Sequence, residues 1–161
     1  MMMNPFGART LALALSTLAL AGGASAQTIG PAIASYQAGV VCPSTGNDVA
    51  SLPFVARTLV VPATQGVAFG VRALTTEAAG TVPAQVIVTH PPIAGSTQES
   101  YNLTLSPTQL AGFHYRFDRL DELVPGTWRV QAQSGGVVLF SIDFDVVLAG
   151  PDDGLLRACG S

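Results

Sequence analysis

Apolar and polar residues alternate with period two along much of the chain. Val67, Phe69, Val71 and Ala73 alternate with Ala68, Gly70 and Arg72. Tyr101, Leu103 and Leu105 alternate with Asn102 and Thr104. The same pattern runs through Phe113, Tyr115 and Phe117, through Trp128, Val130 and Ala132, and through Phe140, Ile142, Phe144 and Val146. In an extended strand successive side chains point to opposite faces, so each run predicts a strand with one buried face. Less regular apolar runs at 33–42, 54–61 and 84–90 bring the expectation to about eight strands. Beyond the first 26 residues, no helical period of useful length appears. Residues 119–124 can form at most a short helical turn.

Pro and Gly clusters separate these runs: Pro43 to Gly46, Pro62 to Gly66, Gly80 to Pro83, Pro91 to Gly95, Ser106-Pro107, Pro125-Gly126 and Ser134 to Gly136. Short strands at this spacing, without intervening helices, predict an all-β fold, an antiparallel immunoglobulin-like β-sandwich. The corner Pro125-Gly126-Thr127-Trp128 places Trp128 at the start of the penultimate strand, where its ring anchors the core and its indole N–H needs an acceptor. For the last hairpin, a three-residue turn over Ser134, Gly135 and Gly136 sets the two apolar faces together. That register pairs Trp128 with Ile142, Val130 with Phe140 and Ala132 with Val138. It puts Arg129 opposite Ser141 and diagonal to Asp143, an exposed ion pair.

The N-terminus changes the picture of where the domain works. Arg9 precedes an apolar run from Leu11 to Ala21, followed by Ala24-Ser25-Ala26. This reads as a signal peptide over 1–26, too short to span a bilayer. The β domain is then expected over 27–148, with a tail over 149–161. Two cysteines remain, Cys42 and Cys159. In an oxidising compartment an even pair reads as a disulfide, here tying the tail back to the first strand region. A periplasmic or secreted location in a Gram-negative bacterium is expected. After residue 26 the chain has six arginines, no lysine and ten acidic residues. Without concentrated positive charge, binding to nucleic acid or to an anionic membrane surface is not expected. Nor is membrane insertion after signal cleavage.

Five segments recur in a recognisable order: Gly66 to Arg72, Thr89-His90-Pro91-Pro92, Tyr115-Arg116-Phe117-Asp118, Glu122-Leu123-Val124-Pro125-Gly126-Thr127-Trp128, and Phe144-Asp145-Val146. Together they resemble a family of small exported proteobacterial β domains known as a domain of unknown function. The Phe-Asp…Glu-Leu-Val-Pro-Gly-x-Trp signature is the most specific part, and the resemblance covers about residues 55–147. It implies an extracytoplasmic β domain and supplies no activity, substrate or catalytic residue.

Chemistry-bearing patterns are sparse. There is no Gly-x-Ser-x-Gly elbow, and a Ser-Lys pair is impossible without lysine. His90, followed by two prolines, is expected at a strand end. His114 is expected on an outer face, and both are expected in solvent. Neither belongs to a zinc motif, so no metal site is expected. Asp118, Asp121 and Glu122 cluster before Pro125, Asp143 and Asp145 share a strand face, and Asp152 and Asp153 lie in the tail. They read as turn, capping and solvated residues, without the spacing of a calcium loop. Asn102-Leu103-Thr104 matches a glycosylation acceptor but falls mid-strand.

No catalytic residue and no cofactor are therefore expected. The pattern points to a non-enzymatic exported module of the cell envelope that binds an unknown envelope protein or a glycan through a strand edge or end loops. The alternative is a carbohydrate- or small-ligand-binding module using an exposed aromatic such as Tyr36. A hydrolase built on Asp118 to Glu122 is the third reading.

Overall fold

The computed structural model describes residues 26–42, 53–150 and 153–159. The signal peptide expected over 1–26 lies almost wholly outside these, as do the Pro43 to Gly46 turn and Asp152. Nine strands are present among the described residues: β1 (Gln27–Ile29), β2 (Ile33–Val41), β3 (Val60–Ala63), β4 (Ala68–Thr75), β5 (Val82–Ile93), β6 (Ser96–Leu105), β7 (Ala111–Arg116), β8 (Gly126–Ser134) and β9 (Val137–Leu148). A 3-10 turn spans Leu120–Glu122, and one short helix, α1, spans Gly154–Ala158.

The strands form two sheets. The larger runs β1-β9-β8-β5-β6, with β3 also pairing β9. The smaller runs β2-β4-β7. All pairs are antiparallel except β3 with β9. The alternating residues meet between the sheets as expected. Trp128, Phe69, Phe117, Phe140 and Phe144 are fully buried. Phe69 meets Trp128 edge-on at 5.8 Å and Phe144 at 4.9 Å. The Trp128 indole Nε1–H donates to the Val124 carbonyl at 3.0 Å, which fixes the Pro125-Gly126 corner beneath the core. Gly126 has φ +135°, a conformation open to glycine.

The last hairpin corrects the expected register. Trp128 pairs with Phe144, Val130 with Ile142 and Ala132 with Phe140. Each partner lies two residues further along β9 than expected, so the faces match but the partners do not. The turn holds two residues, Gly135 and Gly136, with φ +56° and +80°. Positive φ at both central positions is the type I′ requirement, which suits the twist of the flanking strands. A bulge between Ala132 and Gln133 then restores the face match. Arg129 consequently lies directly opposite Asp143.

The smaller sheet departs from a simple two-faced pattern. All of β4 except Leu74 is buried, including Arg72 on its expected polar face. Residues 53–57 fold over that face. Val40 N–H donates to the Ala56 carbonyl at 3.0 Å, and Val55 N–H donates to the Val40 carbonyl at 2.9 Å. Gly39 and Gly70 pair across the sheet and form a floor without side chains. A Cβ at Gly39 would stand 2.3 Å from the Ala56 carbonyl oxygen and 3.1 Å from Phe54 Cγ. Phe54 lies with its ring 5.3 Å from the His114 ring and the Arg72 guanidinium carbon 4.8 Å above it.

Cys42 and Cys159 form a disulfide with Cα atoms 5.3 Å apart. It joins the end of β2 to the end of α1, which Asp153 caps by accepting from Leu155 and Leu156 N–H.

Candidate functional site

The strand β5 carries His90 on the same inward side as Ala84, Val86 and Val88. The two prolines after it do not stop the strand. A register shift between Thr89 and Ile93 takes them up, because a bulge leaves positions that need no ladder N–H. His90 is thus 4% exposed, contrary to the expected solvated strand end. Its ring lies over Trp128 at 4.9 Å with 30° between planes. Nδ1 lies 2.7 Å from the Pro91 carbonyl oxygen. A carbonyl only accepts, so Nδ1 carries a proton. Nε2 is buried, has no hydrogen-bond partner among the described residues, and lies 3.8 Å from Glu99 Oε1.

Glu99 and Tyr101 share the inward side of β6, opposite Val88 and Val86. The Tyr101 hydroxyl donates to Glu99 Oε2, and the Tyr115 hydroxyl of β7 donates to Glu99 Oε1 at 3.4 Å. Tyr115 also packs 5.1 Å from Trp128, and Tyr101 meets Phe113 of β7 at 4.7 Å. These contacts close the sandwich where β6 ends one sheet and β7 ends the other. Burial, then the hydrogen bond to Glu99 and its charge, hold the Tyr101 phenol above its usual range. Burial, followed by the charges of Glu122 and Glu99, does the same at Tyr115. One imidazole, one carboxylate and two phenols therefore gather at the seam, with Glu99 in contact with the other three. Their members are separated along the chain and fall in no known motif, so the sequence offered no signal for Glu99, Tyr101 or Tyr115.

The remaining candidates lie elsewhere. His114 faces outward as expected but is not solvated, since Phe54 covers it and both ring nitrogens are buried without hydrogen-bond partners among the described residues. Burial, then the nearby Arg72 charge, push its pKa down to about 4. Glu122 caps its own turn, with Oε2 accepting from the Asp118 and Arg119 N–H groups at 2.7 and 2.9 Å. Arg116 pairs with Asp118 at 2.6 Å and Arg119 with Asp121 at 2.9 Å. Asp143, expected in solvent, is 7% exposed and takes a two-pronged contact from Arg129 at 2.6 and 2.9 Å. Asp145 stays exposed. Tyr36 is exposed on β2, its hydroxyl donating to Gln27 Oε1 at 2.9 Å. Among the described residues, no three His, Cys, Asp or Glu side chains come together as a metal-binding group, and no helix is long and apolar enough to cross a membrane.

A search of curated proteins returned no match. Among solved structures, the chain is similar to an immunoglobulin-like protein from Pseudomonas aeruginosa, with 23% identity and a TM-score of 0.54. That match covers 78% of this chain and all of the other, and at this identity it bears on the fold alone. A family profile described as Domain of unknown function (DUF3859) matches residues 33–146. With that match running from the first residue of β2 almost to the end of β9, the chain belongs to the DUF3859 family.

Proposed function

We propose that this protein is a non-enzymatic binding module of the cell envelope, exported to the periplasm or beyond, that takes an extended segment of an envelope protein as an added strand on β6. The observation that carries this reading is the edge itself. β6 is ten residues long and pairs only with β5 among the described residues. It has no lysine, arginine or proline, the usual guards of an edge strand. Its one charge, Glu99, is engaged by the two tyrosine hydroxyls. An unpaired edge offers alternating N–H and C=O groups to an incoming strand. The other edges are shorter or partly covered, and the β7 edge of the smaller sheet has six residues. β1 and β3 have three and four residues, and the end of β2 is covered by residues 53–57.

The non-enzymatic reading draws on the carboxylates of Asp118, Asp121 and Glu122, which arginines and backbone N–H groups already occupy. A glycan platform on Tyr36 has less support, because the other exposed aromatic among the described residues, Tyr101, lies on the other sheet. The test is affinity capture from an envelope fraction with the mature domain, beside a Ser100→Lys/Asn102→Lys variant. Both changes lie on the outer side of β6 and leave the core untouched. Strand addition predicts a captured protein that the double-lysine variant loses at unchanged melting temperature. Equal capture by both proteins refutes docking on β6.

A further inference from the structure

The chemistry along the open edge of β6 reads nearly the same in both directions. From Ser96 to Thr104 the order is Ser, Thr, Gln, Glu, Ser, Tyr, Asn, Leu, Thr. About Ser100 as centre, the Gln98 amide mirrors the Asn102 amide, and the Glu99 carboxylate mirrors the Tyr101 phenol. Thr97 mirrors Leu103, and the Ser96 hydroxyl mirrors that of Thr104. Antiparallel strands related by a two-fold axis pair each residue with its mirror residue. We propose that β6 pairs with β6 of a second copy of this chain, with Ser100 opposite Ser100 of that copy, and that this dimer covers the edge until an envelope segment takes its place. The inference deepens the proposed function, since it rests on the reading of β6 as an unguarded edge.

The backbone allows that register. Pro83 has no N–H, and its carbonyl accepts from Ser134 Oγ of β8 at 2.7 Å. Odd-numbered backbone groups of β5 therefore turn toward β8, and even-numbered ones toward β6. Val86 with Tyr101 and Val88 with Glu99 are then the hydrogen-bonded pairs of β5 with β6. The N–H and C=O groups of Gln98, Ser100, Asn102 and Thr104 point to the open edge. At Gln98 a side chain already stands in for a neighbouring strand. The Ser96 hydroxyl donates to the Gln98 carbonyl at 3.1 Å and accepts from its N–H at 3.4 Å. A strand laid alongside replaces that contact with ladder bonds. With Ser100 on the axis, the even-numbered positions from 96 to 104 meet in hydrogen-bonded pairs, giving about ten bonds between the chains. A protein–protein interface of standard size carries about that number.

The side chains select this register over its neighbours. Non-hydrogen-bonded pairs bring side chains closest, and here they set Glu99 against Tyr101 of the second copy and Thr97 against its Leu103. Moving the axis to Glu99 would set two carboxylates face to face, which is destabilising. Moving it to Tyr101 would set each carboxylate against a leucine. On the outer side the amides of Gln98 and Asn102 meet, each able to donate and to accept. They lengthen a row of amides that the sheet already holds: Gln133 Nε2 donates to Gln85 Oε1 at 3.4 Å, and Gln85 stands opposite Asn102. Tyr101 gives an independent sign of a missing neighbour. It shares the inward side of β6 yet is 37% exposed, because β6 ends its sheet. An adjoining strand covers that ring.

Sedimentation velocity of the purified mature domain, with no other protein present, reads self-pairing apart from envelope capture. A concentration-dependent dimer is expected across the micromolar range. Gln98→Lys/Asn102→Lys sets lysine against lysine twice in this register and should raise the dissociation constant roughly tenfold or more. Gln98→Lys/Asn102→Glu sets lysine against glutamate at the same two places and should restore the dimer. Gln98 and Asn102 are both exposed, and circular dichroism confirms the fold of each variant. Added lysines lower the net negative charge of the domain, so a lost dimer reports the local clash and not overall repulsion. A wild-type protein that stays monomeric throughout, a dimer indifferent to the double-lysine change, or a lysine–glutamate variant as weak as the double-lysine one overturns self-pairing. Envelope capture keeps its own variant and its own refutation, so the two readings fail separately.

Discussion

Replacing Phe54 by alanine should change the pH dependence of stability as well as its size. The Phe54 ring covers His114 on the outer face of the smaller sheet, and burial is the first cause of that imidazole's pKa of about 4, against an ordinary 6.5. The folded protein therefore keeps His114 neutral between these values, while the unfolded chain binds a proton there. Because the unfolded state holds more protons in this window, stability rises as pH rises from about 4 to 6.5 and is lost as pH falls. At 1.36 kcal/mol per pKa unit the full effect is about 3 kcal/mol, and about 2 kcal/mol of it is already felt at pH 5. In Phe54→Ala the imidazole meets water and its pKa returns toward 6.5. The variant should lose about 1–3 kcal/mol at pH 7.5 from the missing ring contacts. It should also show a much flatter slope between pH 5 and 7. Urea denaturation at fixed pH values measures both quantities, and NMR titration of the two histidines reads the pKa directly. A wild-type His114 that titrates near 6.5, or equal slopes in the two proteins, would refute the reasoning.

Two further outcomes follow from the packing. Gly70→Ala would place a Cβ 2.0 Å from the Phe113 carbonyl oxygen, which is backbone and cannot turn aside. The β4–β7 pair must part, so urea denaturation should show a loss of about 3 kcal/mol or more. Cys42→Ser removes a link across 117 residues of chain, for which loop-closure entropy sets a ceiling of about 5 kcal/mol. Its midpoint in urea should fall by an amount matching about 2–5 kcal/mol, and an unchanged midpoint would show that the link adds nothing.

Local rules made the strands, the sandwich and the Trp128 corner legible in the sequence. Trp128, Val130 and Ala132 need only period-two alternation to be placed inward, and Arg129 follows onto the other face by necessity. Register was harder, because Gly135 and Gly136 set a two-residue turn and the compensating bulge lies two positions before it, where no turn residue marks it. His90 was misplaced for a related reason: Pro91 and Pro92 end most strands, but here they sit in a bulge. His114 was misread because its cover, Phe54, comes from another strand's connection some sixty residues earlier. The seam was the least legible part. Its imidazole, carboxylate and phenols come from β5, β6 and β7, and only Glu99 and Tyr101 share a strand. Nothing in their spacing marks them until the two sheets are laid edge to edge.

The disulfide also decides how the domain would bear a mechanical load. It joins the end of β2 to the segment that follows β9, so every residue between Cys42 and Cys159 lies inside a covalent ring. Tension applied between the start of β1 and the end of α1 passes from Cys42 straight across the sulfur bond. Strands β3 to β9 are shielded from that pull. Only residues 27–42 can be drawn out, peeling β1 from β9 and β2 from β4. The extension is limited to about 3.3–3.6 Å for each of those residues. A pull on the ends therefore strips one flank while the seam between β6 and β7 keeps its geometry.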